Sequence, residues 1–211
     1  MTLPRLYPIL DTALLAAREC PLETAAATML ETGTAILQLR HKGPWTRDIF
    51  EQSRRIMLLC EQAAIPLIVN DRADIALLLN AGLHIGQDDL TPQDARHLVG
   101  AAAHLGYSTH NAAQLTAAAQ EPVDYLAIGP IFTTQSKFKP DPVVGVAHLQ
   151  TYKRLTTKPL VAIGGITRDN AKSVLDAGAD SLAVIGDLLP DGCSATSIRE
   201  RFREWQRRIT E

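Results

Sequence analysis

Apolar positions along the chain fall into eight short runs separated by segments of helical composition. The runs are LYPIL (6–10), TAILQL (34–39), PLIVN (66–70), LHIG (83–86), LGYS (105–108), DYLAIG (124–129), PLVAIG (159–164) and SLAVIG (181–186). Their length and their β-branched and aliphatic content predict strands. The intervening segments carry helix signals. TRDIFEQSRRIMLLCEQAA opens on Thr46 as an N-cap, and TPQDARHLVGAA has Thr91 at the N-cap with Pro92 at the first helical position. TRDNAKSVLDAGAD closes on Gly178, read as a left-handed C-cap, and Gly82 is given the same part before LHIG. Near the end, Ile198, Phe202, Trp205 and Ile209 form one apolar stripe on a basic helix whose other face is solvated.

Strands this apolar cannot face water, so the alternation predicts a parallel sheet covered by helices. Eight such units in 211 residues fit an α/β fold, a single-domain (β/α)8 TIM barrel spanning residues 1–211. An open doubly wound sheet is the rival. The chain has neither a GxGxxG turn nor a GxxxxGK[ST] loop to favour it, and no linker or low-complexity stretch divides it.

Composition narrows the class. The chain is 46% hydrophobic and 21% charged, enough for a sizeable core, and its net charge of −2 argues against a nucleic-acid or anionic-membrane partner. No secretory signal opens it and no apolar run approaches a membrane span. Cys20, Cys60 and Cys193 form no CxxC and are read as reduced core thiols of a cytoplasmic protein.

In a TIM barrel the chemistry sits at the carboxyl ends of the strands. Those ends carry Gln38, Arg40 and Lys42; Asn70 and Asp71; Gln87, Asp88 and Asp89; Ser108, Thr109, His110 and Asn111; Thr134, Ser136 and Lys137; Gly164, Gly165 and Thr167; and Gly186 with Asp187. Arg40, Lys42 and Lys137 suit a multiply charged oxyanion. Asp71 and Asp89 are hard oxygen donors on neighbouring strands, suited to a Mg²⁺ that keeps waters and bridges to phosphate. AIGGIT lets backbone N–H groups approach a second phosphate. His84 reads as a packed or rim histidine, because no HxH or HExxH supports zinc. Ser108 with His110 suggests nucleophile–base chemistry, but no GxSxG elbow surrounds the serine. The loop at 137–144, rich in proline and lysine, is a candidate lid.

Taken in order and spacing, QLRHK, VNDR, GLHIGQDDL, GYSTHN, GPIFTTQSK, AIGGIT and LAVIG resemble the thiamine phosphate synthase family, over about residues 6–189. The resemblance implies a TIM barrel that joins a hydroxymethylpyrimidine diphosphate to a hydroxyethylthiazole phosphate and releases pyrophosphate, with one Mg²⁺ per active site. By position it implies a pyrimidine-diphosphate site at Gln38, Leu39, Arg40, His41 and Lys42, joined by Asn70, Ser108 and Lys137. Arg40, Lys42, Lys137 and Ser108 would be the catalytic groups. Asp71 and Asp89 would hold the metal, with Asp88 the lesser neighbour. The thiazole phosphate would take Thr134, Gln135 and Ser136 together with Gly165, Ile185 and Gly186. Two departures stand out: Gly186 occupies a place where a hydroxyl residue is expected, and YPILD differs from the usual first strand.

The partners implied are small-molecule substrates, with no nucleic acid and no membrane; homo-oligomerisation stays open. Two rivals share the barrel. A thiazole tautomerase-like isomerase would not need Arg40, Lys42, Asp71 and Asp89 together, and has a histidine where this chain has Pro130. A non-catalytic phosphate sensor would bind without releasing pyrophosphate.

Overall fold

The computed structural model describes residues 2–134 and 141–210. Within them the eight predicted strands are all present: β1 (Leu6–Asp11), β2 (Leu37–Arg40), β3 (Leu67–Asn70), β4 (Gly82–Ile85), β5 (Leu105–Thr109), β6 (Tyr125–Ile128), β7 (Leu160–Ile163) and β8 (Ser181–Val184). Each pairs in parallel with the next, and β8 returns to β1 through Leu6↔Leu182 and Tyr7↔Ala183, so the sheet closes into a barrel. This is the (β/α)8 architecture, and it excludes the open-sheet rival.

Helices cover the outside: α1 (Thr12–Ala17), α2 (Leu22–Glu31), α3 (Arg47–Gln62), α4 (Ala73–Leu79), α5 (Pro92–Val99), α6 (Ala112–Ala118), α7 (Val146–Lys153), α8 (Ala171–Asp176) and α9 (Ala195–Thr210). Thr46 caps α3 by accepting from the Ile49 N–H, and Thr91 caps α5 by accepting from the Asp94 N–H at 3.2 Å. The stripe Ile198, Phe202, Trp205 and Ile209 is buried as expected and seats α9 on the outside of the barrel, against α2 and α8. No helix among the described residues is long and apolar enough to cross a membrane.

Strand alternation divides the apolar residues into two sets. One lies between sheet and helices and includes Leu37, Leu39, Val69, Leu83, Leu105 and Leu126. The other fills the barrel interior with Tyr7, Ile9, Ile36, Ile68, Tyr125, Ala127, Val161 and Ala183. Residues of the second parity become polar toward the strand ends, and this builds the mouth.

Two expectations are corrected. Gly82 is a strand residue and caps no helix. The left-handed residue that ends α4 is Asn80, with φ +53°, an amide being one of the few side chains that tolerate that conformation. Gly82 instead answers a close approach, because a Cβ there would stand 2.4 Å from Ile68 Cδ1 and 2.8 Å from the His104 carbonyl oxygen. Cys20 and Cys193 are disulfide-bonded, with Cα atoms 5.3 Å apart across 173 residues of sequence. Only Cys60 is a free core thiol among the described residues; burial pushes its pKa up to about 12, so it stays protonated. The pairing was hidden because the fold, and no local spacing, brings the chain after α1 against the chain before α9.

Gly82→Ala is expected to cost about 1–3 kcal/mol, the usual price of overpacking against backbone. Urea unfolding reads the loss, and an unchanged midpoint would contradict the close approach.

Candidate active site

The mouth is built from the ends of neighbouring strands. Along β2 the inward series runs from Ile36, fully buried, through Gln38 at 3% exposure to Arg40. Past the strand, the Lys42 side chain is 54% exposed. The strand climbs out of the core, so its inward positions turn from apolar to amide to cation. Leu39 has the other parity and packs under the helices, so its side chain enters no site. His41 is fixed in the following loop, with Nδ1 2.7 Å from Thr12 Oγ1 and Nε2 3.1 Å from the Pro44 carbonyl oxygen.

Both rim cations are paired. The Arg40 guanidinium donates to Asp11 Oδ2, and both side chains are largely buried. The other Asp11 oxygen accepts from the Leu14 N–H at 3.0 Å and caps α1. Asp11 ends β1 directly beside Arg40, since the two are register partners. Lys42 donates to Asp71 Oδ2. Asp71 sits in the left-handed region, φ +64°, with its N–H bound to the His84 carbonyl oxygen at 2.8 Å. That backbone turns the carboxylate toward the loop after β4, where the Asp89 carboxyl stands next to it. Asp89 Oδ2 accepts from the Gly86 N–H at 2.7 Å. Partial loss of hydration raises the Asp89 pKa; the Gly86 N–H opposes that, and the adjacent Asp71 carboxylate pushes it up further.

Asp71 and Asp89 stand within side-chain hydrogen-bond reach of each other and are the residues here that could hold a hard cation. Among the described residues no third His, Cys, Asp or Glu joins them. That fits Mg²⁺, which keeps waters and takes one or two carboxylates plus phosphate oxygens, better than it fits a metal needing a protein cage. Asn70, inward on β3, has a buried Nδ2 with no hydrogen-bond partner among the described residues. A buried amide donor of this kind is available to an acceptor that enters the mouth.

Beneath the cations a chain of polar side chains crosses the barrel. Gln38 Nε2 donates to the Tyr7 hydroxyl at 3.0 Å, and Tyr7 and Tyr125 hydroxyls are 2.7 Å apart. Tyr125 Oη is 3.0 Å from His84 Nδ1, and His84 Nε2 is 2.8 Å from Ser108 Oγ. Burial holds the His84 pKa down to about 4, only partly opposed by the Asp71 charge, so the imidazole is neutral at pH 7. The partner of Ser108 is thus His84 and not His110, whose Nδ1 is 2.7 Å from the Gly129 carbonyl oxygen.

The loops after β6 and β7, where the second anion seat is expected, touch one another. Phe132 N–H donates to the Gly164 carbonyl oxygen at 3.0 Å, drawing the loop after β6 over the loop after β7. A Cβ on Gly165, φ +64°, would lie 2.5 Å from the Thr133 carbonyl oxygen, so only glycine lets the two loops touch. Asn170 fixes the loop by donating to the Gly165 carbonyl oxygen at 3.0 Å and accepting from the Thr167 N–H at 2.8 Å. Gly186 opens a short 3₁₀ turn after β8 that also includes Asp187; its carbonyl accepts from Arg18 at 3.1 Å, and open space surrounds the place of a side chain. Gln135, Ser136, Lys137 and the first part of the candidate lid lie outside the described residues. Sequence reasoning missed Asp11 at the mouth and Tyr7 and Tyr125 beneath it; the aspartate that ends the first strand was the one available signal.

The thiamine monophosphate synthase family profile matches residues 6–188. The chain belongs to this family. A thiamine-phosphate synthase of Koribacter versatilis is 48% identical over 198 residues, covering 90% of this chain and 92% of that protein. Another, from Chloroflexus aurantiacus, is 39% identical over 186 residues, 88% of this chain and 85% of that one. Among solved structures, a thiamine phosphate pyrophosphorylase from Pyrococcus furiosus superposes with a TM-score of 0.83 at 28% identity, covering 98% of this chain and 95% of that one. Thiamine monophosphate synthase family membership makes the chain an enzyme, a transferase.

Two predictions follow from the geometry. Asn at position 11 retains an oxygen for the Leu14 N–H, whereas Ala does not; Asp11→Ala is expected to be less stable than Asp11→Asn by about 1 kcal/mol in urea unfolding, the value of a cap. Equal stabilities would remove the cap. For His84, the unfolded chain binds a proton near pH 6.5 and the folded one only near 4. Between those values the unfolded state holds more protons, so stability present above 6.5 is lost as pH falls toward 4, by an amount on the order of 3 kcal/mol. The stability gap between wild type and His84→Gln should therefore shrink from pH 7 to pH 4.5, and a constant gap would contradict the buried neutral imidazole.

Proposed function

We propose that the chain is a thiamine phosphate synthase. It would condense 4-amino-2-methyl-5-(diphosphooxymethyl)pyrimidine with 4-methyl-5-(2-phosphooxyethyl)thiazole, or with its carboxylated form and loss of CO2, to give thiamine phosphate and pyrophosphate. The observation that carries this reading is that Arg40, Lys42, Asp71 and Asp89 stand at or just past the ends of the neighbouring strands β2, β3 and β4, beside an Asn70 whose Nδ2 has no partner among the described residues. An isomerase that binds only a thiazole monophosphate has no use for that set.

The reaction asks little acid–base work of the protein. The bond between the pyrimidine methylene and the diphosphate oxygen breaks, and its electron pair leaves on oxygen. The electron-rich aminopyrimidine delocalises the cation, and the thiazole nitrogen supplies the pair for the new C–N bond. Arg40 and Lys42, with Lys137, would stabilise charge growing on the leaving group, and the Asn70 amide would donate to one of its oxygens. Mg²⁺ held by Asp71 and Asp89 would, when bound, neutralise diphosphate charge as a Lewis acid. Arg40 is anchored by Asp11 before any ligand arrives, so its position costs nothing at the moment of reaction. Thr134, Gln135, Ser136, Gly165 and the Ile185–Gly186 backbone would hold the thiazole phosphate, orienting its nitrogen toward the cation while the seated substrates exclude water. At Gly186 the backbone N–H must serve without a hydroxyl. The enzyme would work in the cytoplasm on these small-molecule substrates.

The test is incubation with both phosphorylated halves and Mg²⁺, following coupled product and pyrophosphate together. Formation of neither would refute the reading. Arg40→Ala and Lys137→Ala are each expected to lose about 1.5–3 kcal/mol of transition-state stabilisation, tenfold to roughly a hundredfold in kcat/KM. Full turnover in both variants would dissolve the cationic cluster as the leaving-group site.

A further inference from the structure

The polar chain inside the barrel has a direction. Tyr7 oxygen accepts from the Gln38 amide, so the Tyr7 proton has one acceptor within reach, the Tyr125 oxygen at 2.7 Å. Tyr125 must then place its own proton on His84 Nδ1 at 3.0 Å. With Gln38 Nε2 facing Tyr7, any other arrangement leaves a buried hydroxyl proton unpaired, at a cost of about 1–3 kcal/mol. A neutral imidazole that accepts at Nδ1 carries its proton on Nε2, and the group 2.8 Å from Nε2 is Ser108 Oγ. Ser108 thereby accepts from His84 and keeps its own O–H for whatever occupies the mouth.

We propose that His84 is a positioning residue, held by Gln38, Tyr7 and Tyr125 as the Nε2–H tautomer so that Ser108 meets the substrate as a hydrogen-bond donor. The wall around it is shaped for this contact. Gly106 is the register partner of His84, and a Cβ on it would lie 2.4 Å from Tyr125 Oη and 2.5 Å from His84 Nδ1. A bare backbone at position 106 is therefore what lets the phenol and the imidazole meet, with their rings stacked at 5.5 Å. Ser108 itself is half-buried at the end of β5, between the closed interior and the mouth.

The acceptor that Ser108 serves is an oxygen of the diphosphate or a ring nitrogen of the pyrimidine. Assigning it to that substrate rests on the proposed function; the tautomer does not.

The first measurement is the ¹⁵N spectrum of His84 in the unliganded wild-type protein, which distinguishes the two neutral tautomers without any turnover. The Nε2–H form is expected, and the Nδ1–H form would overturn the proposal even if the enzyme makes thiamine phosphate. The second is a double-mutant cycle. Tyr125→Phe keeps the ring and removes the hydroxyl; it is expected to lower kcat/KM about tenfold in the wild-type background and to do nothing further in Ser108→Ala. Losses that add in the two backgrounds would make Tyr125 merely structural and overturn the proposal. Tyr7→Phe repeats the cycle should Tyr125→Phe not fold. Calorimetry with inorganic pyrophosphate locates the acceptor: weaker binding in Tyr125→Phe assigns the diphosphate oxygen. Unchanged pyrophosphate binding, with the kcat/KM loss retained, assigns the ring nitrogen. If neither substrate is turned over, the proposed function fails while the ¹⁵N result still decides the tautomer.

Discussion

Closure of a parallel sheet is the constraint from which this molecule's chemistry descends. Once β8 pairs with β1, every strand has one parity pointing into a space without bulk water and one pointing under the helices. Polar groups of the inner parity must then find one another or open onto the mouth, because an unpaired buried donor costs more than the net value of a hydrogen bond. Gln38, Tyr7, Tyr125 and His84 satisfy the requirement deep in the barrel. Arg40 and Asp11 satisfy it just below the surface. Among the described residues, Asn70 Nδ2 at the mouth and Ser181 Oγ at the start of β8 find no partner, and of the two only Asn70 lies where a ligand can reach it.

The strands and helix caps were legible because they depend on neighbours in sequence. Thr46, Thr91 and Gly178 act over three or four residues, and the stripe of α9 needs only its own periodicity. Order was legible as well: polar residues ending successive strands can reach one another only on a closed barrel, so the motif sequence carried the candidate site. Partnerships across the barrel were hidden. Nothing local in YPILD says that Asp11 will hold Arg40, or that Tyr7 will meet Tyr125 at a separation of 118 residues. His84 read as a packed histidine and is one, but its partner Ser108 comes from the next strand. Gly82 was misread for a related reason: a glycine near a helix end resembles a cap, while its actual neighbour, Ile68, lies one strand away.

The two ion pairs at the rim differ in kind, and the difference assigns them different work. Arg40 and Asp11 are both largely buried, and Asp11 is committed to α1 as well. Separating them would leave a poorly solvated charge, so the pair is a fixed part of the wall. Lys42 is 54% exposed, and pairs of that sort are worth roughly 0–1 kcal/mol. An incoming diphosphate can replace Asp71 at the Lys42 ammonium at little cost, and the displaced carboxylate regains freedom beside Asp89. Attraction between Lys42 and Asp71 thus keeps the unliganded rim near neutrality, while the repulsion between Asp71 and Asp89 keeps it receptive to positive charge. A rim of unpaired lysines and arginines would bind any polyanion. One that has to exchange partners favours a ligand bringing negative charge for the lysine together with a cation for the carboxylates, as the metal-bound diphosphate of the proposed function would.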